Sequence, residues 1–185
     1  MINDIINDAK LRMDKSMEAF KHELSRVRTG RAHPGLLEHV MVKYYGKEVP
    51  LTQASNVTVV DARTLGVTPW DRNTIADIDK AIRTSDLGLN PVTAGNVIRV
   101  PLPALSEERR KELGKVVRAE AEKARVAMRN VRRDANNHLK EMMKGKETTK
   151  DDERRAEEQV QKLTDTHIAT IDRILAEKEK ELMEF

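Results

Sequence analysis

The residues best suited to chemistry lie between Arg109 and Arg133. Ten cationic side chains there (Arg109, Arg110, Lys111, Lys115, Arg118, Lys123, Arg125, Arg129, Arg132 and Arg133) stand against three acids, Glu112, Glu120 and Glu122. On a helical wheel, Lys111, Lys115, Arg118, Arg125, Arg129, Arg132 and Arg133 fall within an arc of about 100°. Glu112, Glu120, Asp134 and Glu141 gather on another face. Like charges sorted this way repel one another, and an anionic partner relieves the repulsion. Arginine outnumbers lysine on the arc, and its planar fork suits phosphate oxygens. The arc holds no Phe, Tyr or Trp, which disfavours a single strand stacked on aromatic rings. It favours folded RNA met through phosphate and 2′-hydroxyl contacts. Charge alone leaves DNA open. The plain alternative is a solvated face neutralised by the acidic C-terminal segment, and the residues by themselves leave both readings standing.

Other chemistries find little support. The chain has no cysteine, so disulfides, thiolate metal sites and cysteine nucleophiles are excluded. His22, His33, His39, His138 and His167 show no ligand spacing, and His167 falls on an apolar stripe where a packed histidine is expected. Gly30-Arg31-Ala32-His33-Pro34-Gly35 lacks the Gly-Lys-Ser/Thr ending of a phosphate loop. Asp151-Asp152-Glu153 is explained by a helix start, and the eight methionines by core filling. No active site, metal or cofactor is expected.

The elements that position the arc follow from periodicity. Of 185 residues, 35% are charged and 3% aromatic, the composition of long amphipathic helices. Ile2, Ile6, Ala9, Met13, Met17, Phe20, Leu24 and Val27 mark a first helix, expected to end near Thr29-Gly30. From Arg31 to Leu105 the pattern shortens. Val40–Tyr44 alternates like a strand, Tyr45-Gly46-Lys47-Glu48 reads as a turn, and Val49-Pro50-Leu51 as the return strand. Val57–Val60, Thr64–Thr68 and Val97–Val100 read as further strands. Thr74 and Asp77 resemble a capping box for a short helix carrying Ile75, Ile78 and Ile82.

Ser106 then caps a helix whose stripe runs Leu113, Val117, Ala121, Ala124, Met128, Val131, Ala135, Leu139 and Met142, with Gly145 as its stop. Thr149 caps a last helix with Ala156, Val160, Leu163, His167, Ile171, Ile174 and Leu182 inward. The expected fold is α+β: an elongated antiparallel three-helix bundle from residues 1–30 and 106–185, interrupted by an inserted domain at 31–105. The second long helix would extend about 55–60 Å at 1.5 Å per residue. Two adjacent connections, Gly30-Arg31 and Pro103-Ala104-Leu105, read as a hinge.

Charge is distributed unevenly about the net +3. Residues 106–147 hold 13 basic and 8 acidic side chains, while 148–185 hold 7 and 11. No stretch reaches the apolar length of a bilayer span, and the N-terminus lacks a basic and then apolar leader. A cytoplasmic monomer without membrane contact is the default expectation.

Four segments carry a resemblance. Val27-Arg28-Thr29-Gly30-Arg31-Ala32, Asp86-Leu87-Gly88-Leu89-Asn90-Pro91, Ile98-Arg99-Val100-Pro101-Leu102-Pro103 and Val131-Arg132-Arg133-Asp134-Ala135-Asn136 look like hallmark segments of bacterial ribosome recycling factors. The helix start Ser106-Glu107-Glu108-Arg109-Arg110 is similar too, and the likeness runs end to end. It implies an L-shaped molecule of transfer-RNA dimensions, a bundle joined to a β/α/β insert. It also implies a factor that binds the post-termination ribosome through large-subunit ribosomal RNA. With elongation factor G and that partner's GTP hydrolysis, the factor would help to split the subunits and perform no bond chemistry itself. Carried over by motif, Arg132 is the foremost RNA contact, with Arg129 and Arg133 beside it. Arg28 and Arg31 match the basic motif near the hinge, and Arg110, Arg118 and Arg125 extend the set. His33 and Gly35 depart from the small polar residues expected there, which bears on the stiffness of the first linker. The competing class is a coiled-coil adaptor that binds protein with the same helices. It predicts no ribosome co-sedimentation and little salt sensitivity.

Overall fold

The computed structural model describes residues 1–27 and 29–184. The chain separates into two compact units, one of Met1–Thr29 with Glu107–Glu184 and one of Gly30–Ser106.

The first unit is a three-helix bundle of α1 (Ile2–Ser25), α4 (Glu107–Lys144) and α5 (Lys150–Met183). Ala9, Met13, Met17, Phe20 and Leu24 of α1 meet Leu113, Val117, Ala121, Ala124, Met128, Val131, Ala135 and Leu139 of α4, and all are buried. From α5, Ala156, Val160, Ile171 and Leu182 are buried, whereas Leu163 and Ile174 are half-buried. Thr164, a polar residue outside the apolar pattern, is fully buried because its hydroxyl donates to the Val160 carbonyl one turn back. The direction of α4 opposes that of its neighbours. Arg12 pairs with Asp134 at 2.9 Å, and a groove brings Ser16, Ala19 and Phe20 against Glu120, Ala124 and Ala127. His167 of α5 closes the third side. Its Nε2 lies 2.8 Å from Asp14 Oδ1 of α1, and its Nδ1 lies 2.7 Å from the Leu163 carbonyl.

One helix end differs from the sequence expectation. Helix α1 stops at Ser25, four residues before Thr29, because Ser25 Oγ donates to the His22 carbonyl. The Arg26 and Val27 amides also reach back only three residues, to Glu23 and Leu24. The local hydroxyl bond competes with continuation of the helix. At the other end of the bundle α4 stops before Gly145 as expected, yet Gly145 is not the left-handed residue. Lys146 is, at φ 56°. The Glu147 amide donates to the Met142 carbonyl at 2.9 Å and the Lys146 amide to that of Met143 at 3.1 Å, a Schellman closure with lysine in the glycine position. Thr149 caps α5 as expected, its hydroxyl accepting from the Asp152 amide at 3.1 Å.

The second unit holds two sheets. Strands β1 (Met41–Tyr44) and β2 (Lys47–Pro50) form a hairpin. A four-stranded antiparallel sheet takes the order β3-β4-β6-β5, from Ser55–Asp61, Thr64–Pro69, Val97–Pro101 and Val92–Ala94. The hairpin turn is two residues rather than four. Tyr45 and Gly46 both have positive φ, 49° and 82°, the primed turn that matches strand twist, so Tyr44 pairs directly with Lys47. The short helix α2 (Leu51–Ala54) takes Leu51 out of the expected return strand and buries it together with Ala54. Helix α3 (Ile75–Arg83) buries Ile78 and Ile82 against Val42, Leu65, Val67, Ile98 and Val100. Thr74 does not cap it through its side chain. Asp71 does the capping one turn earlier, accepting from the Asn73 amide at 2.9 Å, and Thr74 Oγ1 donates to the Asp71 carbonyl.

Candidate nucleic-acid interface

The amphipathic period of α4 that buries Leu113, Val117, Met128 and Leu139 also fixes where the sorted cations point. They run along one edge of the bundle and divide into two rows. Arg118, Arg125 and Arg132, spaced seven residues apart, lean toward α5. There Glu179, Asp172 and Gln161 follow steps of seven and eleven, which align them on one edge of that helix. Arg118 Nη1 lies 3.7 Å from Glu179, and Arg132 Nη1 donates to Gln161 Oε1 at 3.3 Å. Arg125 is the most tightly held. Its Nε and Nη2 reach Asp172 Oδ1 at 2.9 and 2.7 Å, its Nη1 reaches Glu122 at 3.1 Å, and its side chain is only 21% exposed. Asp172, and then Glu122, hold its guanidinium more firmly protonated than usual.

The second row faces water. Arg129 Nη1 donates to Glu122 Oε1 at 3.1 Å and the side chain remains 43% exposed, while Lys111 pairs with Glu107 at 3.3 Å. Lys115 and Arg133 are exposed and have no hydrogen-bond or ion-pair partner among the described residues. Arg132 has Gln161 but no carboxylate. The acidic last helix therefore neutralises one flank of the arc, at Arg118 and Arg125. Among the described residues, Lys115 and Arg133 of the second row and Arg132 at the end of the first have no carboxylate partner.

The remaining candidates lie elsewhere. Arg110 is half-buried, with its Nε shielded and without a hydrogen-bond partner. Arg31 is exposed in the second unit, and Arg28 lies outside the described residues. Gly30 takes φ 81°, and a Cβ built on it would stand 3.4 Å from Leu105 Cγ. Pro103 and Ala104 are exposed.

Reading by net charge passes over Glu122. The same wheel places it inside the basic arc, about 20° from Arg129. Hydrogen bonds first from Arg125 and then from Arg129 hold its carboxyl below the usual carboxylate range. Asp172, Glu179 and Gln161 are the other residues that matter to the edge, and only the register of α5 against α4 reveals them. Among the described residues, no group of histidines and acids is arranged to hold a metal, and no helix is long and apolar enough to cross a membrane.

These features define a two-unit α+β protein, a long three-helix bundle with a cationic edge and an inserted sheet domain. The ribosome recycling factor family model matches residues 20–183. A ribosome-recycling factor of Thioalkalivibrio sulfidiphilus is 63% identical over the whole of both chains, and one of Coxiella burnetii is 60% identical over 99% of each. A solution structure of a ribosome recycling factor covers 100% of this chain and 98% of its own at 41% identity, with a TM-score of 0.70. Another, described as models for the Thermus thermophilus ribosome recycling factor and the Escherichia coli elongation factor G bound to the E. coli post-termination complex, is 45% identical. It covers 99% of both chains with a TM-score of 0.62. The chain belongs to the ribosome recycling factor family.

Proposed function

We propose that this chain acts in ribosome recycling after termination by binding the post-termination ribosome through large-subunit ribosomal RNA. With elongation factor G and that partner's GTP hydrolysis, it promotes subunit dissociation. The observation that carries the RNA reading is the set of open cations on α4: Lys115 and Arg133 of the water-facing row, and Arg132 at the end of the other, have no carboxylate partner among the described residues. Cations left uncompensated and free of aromatic neighbours suit the phosphates of folded RNA. Arg129 joins them when it leaves Glu122, whereas Arg118 and Arg125 contribute mainly by fixing α4 against α5. The likeness to a factor described together with elongation factor G on the post-termination complex supports the choice of partner.

The inserted unit, on this reading, swings about Gly30-Arg31 and Pro103-Ala104-Leu105 while the bundle stays anchored. The closeness of Gly30 to Leu105, whose side chain an added Cβ would approach to 3.4 Å, supports treating the two crossings as one hinge. The chain works in the cytoplasm as a monomer, since the bundle satisfies its own apolar stripes. It supplies no catalytic group of its own. The test is light scattering from purified post-termination ribosomes given elongation factor G and GTP. Adding the chain accelerates subunit dissociation, and Arg132→Ala slows it at limiting factor. Dissociation at the same rate with and without the chain would overturn the proposal.

A further inference from the structure

The basic edge contains one carboxylate that the packing of the bundle does not require. Glu122 lies between Arg129 on one side and Lys115 and Arg133 on the other in wheel position, and it accepts from both Arg125 and Arg129 at 3.1 Å. Arg125 has no need of it, because Asp172 already engages that guanidinium through two nitrogens across the helix interface. For Arg129 the case is reversed, since Glu122 is its one ion-pair partner among the described residues. That pair spans seven residues along one helix, two full turns, so both side chains must stretch along the surface to meet. A carboxylate drawn toward two guanidinium groups on a phosphate-binding edge has the charge and acceptor geometry of a phosphate oxygen pair.

We propose that Glu122 is a built-in competitor for phosphate. It occupies the Arg129 guanidinium in the free chain and is displaced when RNA backbone arrives, which holds the affinity of the edge for RNA below what its cations alone would give. The consequence is faster release, a property that a factor acting once per ribosome and then leaving requires. This inference rests on the RNA reading of the same edge and assigns a residue that works against it.

The experiment is co-sedimentation with purified large ribosomal subunits at graded salt. It uses the full chain, Glu122→Gln, Arg129→Ala, the double variant and Arg132→Ala. Glutamine keeps the size of the side chain and removes its charge, and the site is half open to solvent, so circular dichroism serves as the check that folding is intact. Glu122→Gln is expected to bind about fivefold more tightly near 0.1 M salt, the worth of one exposed ion pair. Its slope of log affinity against log salt is expected to steepen by up to about 0.7 to 0.9, because binding no longer has to break an exposed ion pair that salt itself weakens. In the Arg129→Ala background the same change should give no gain, because the guanidinium it frees is gone. If Arg129→Ala and Arg132→Ala weaken binding while Glu122→Gln binds equally or less tightly, the competitor role is overturned and the RNA edge stands. A gain that persists without Arg129 also overturns it. If neither arginine variant changes affinity or slope, the RNA reading fails, and this inference fails with it.

Discussion

Two arginines seven residues apart on the same edge of α4 should respond to replacement in opposite ways. Arg125 is four-fifths shielded and bonds Asp172 of α5 at 2.7 and 2.9 Å, whereas Arg132 reaches α5 only through the neutral Gln161 at 3.3 Å. Arg125→Ala strips two charge-assisted bonds from the α4–α5 interface and exposes the surface its aliphatic stem covers. An exposed pair contributes up to about 1 kcal/mol and a covered stem about as much again, so the bundle should lose about 1–2 kcal/mol. Arg132→Ala removes one long bond to a neutral acceptor at the surface and should cost about 0.5 kcal/mol or less. In a helical unit of about a hundred residues, each kcal/mol moves the midpoint by about 4–8 °C. Far-ultraviolet circular dichroism reads the bundle. Trp70, the single tryptophan, lies in the other unit and reports that one separately by fluorescence. Large-subunit binding should show the reverse ranking, with Arg132→Ala the weaker binder. Equal stability of the two variants, or a larger loss for Arg132→Ala, would refute the division of the arc into pinned and open cations.

Three further outcomes follow from the geometry. Lys146→Gly should stabilise the bundle by about 0.5–1 kcal/mol in urea unfolding, because glycine removes the left-handed strain at φ 56° and returns part of the gain as unfolded-chain entropy. Asp14 is held below the usual carboxylate range by Lys10 first and His167 second, so its stabilising contribution is complete above about pH 4 and fades as pH falls through its lower folded value. Asp14→Asn should therefore be less stable than the parent at pH 6, and the gap should close on acidification. Gly66→Ala should destabilise the inserted unit by about 1–3 kcal/mol. The new Cβ would stand 2.8 Å from Val60 Cγ2, and Val60→Ala in the same chain should restore part of the loss by Trp70 fluorescence.

The long helices were legible because their apolar residues recur without interruption, and Met13, Met128 and Leu139 lie buried where the stripes place them. The sorted arc was legible for the same reason, since a period of 3.6 fixes angular position before any packing is known. Which cations stay open was not legible. Arg125 and Arg132 lie about 20° apart on the wheel and differ because the register of α5 brings the carboxylate of Asp172 to one and the neutral Gln161 to the other. The insert was read less well because its signals compete locally. Tyr45 adopts a conformation that favours glycine, Asp71 takes the capping role that Thr74 is equally equipped for, and Leu51 continues a strand pattern while entering a helix. The three-residue strand β5 has too short a period to register. Gly145 was legible as the helix stop by residue type, whereas the left-handed turn falls one residue later, on Lys146.

The central claim is that the open cations of α4 meet nucleotide backbone, and the salt dependence of large-subunit binding tests it most directly. For a chain with Arg132 and Arg133 both replaced by glutamine, the slope of log affinity against log salt should be shallower than the parent's by about 1.4–1.8, the loss of two phosphate contacts. Superimposable slopes for the two proteins, with both fully folded, would contradict it.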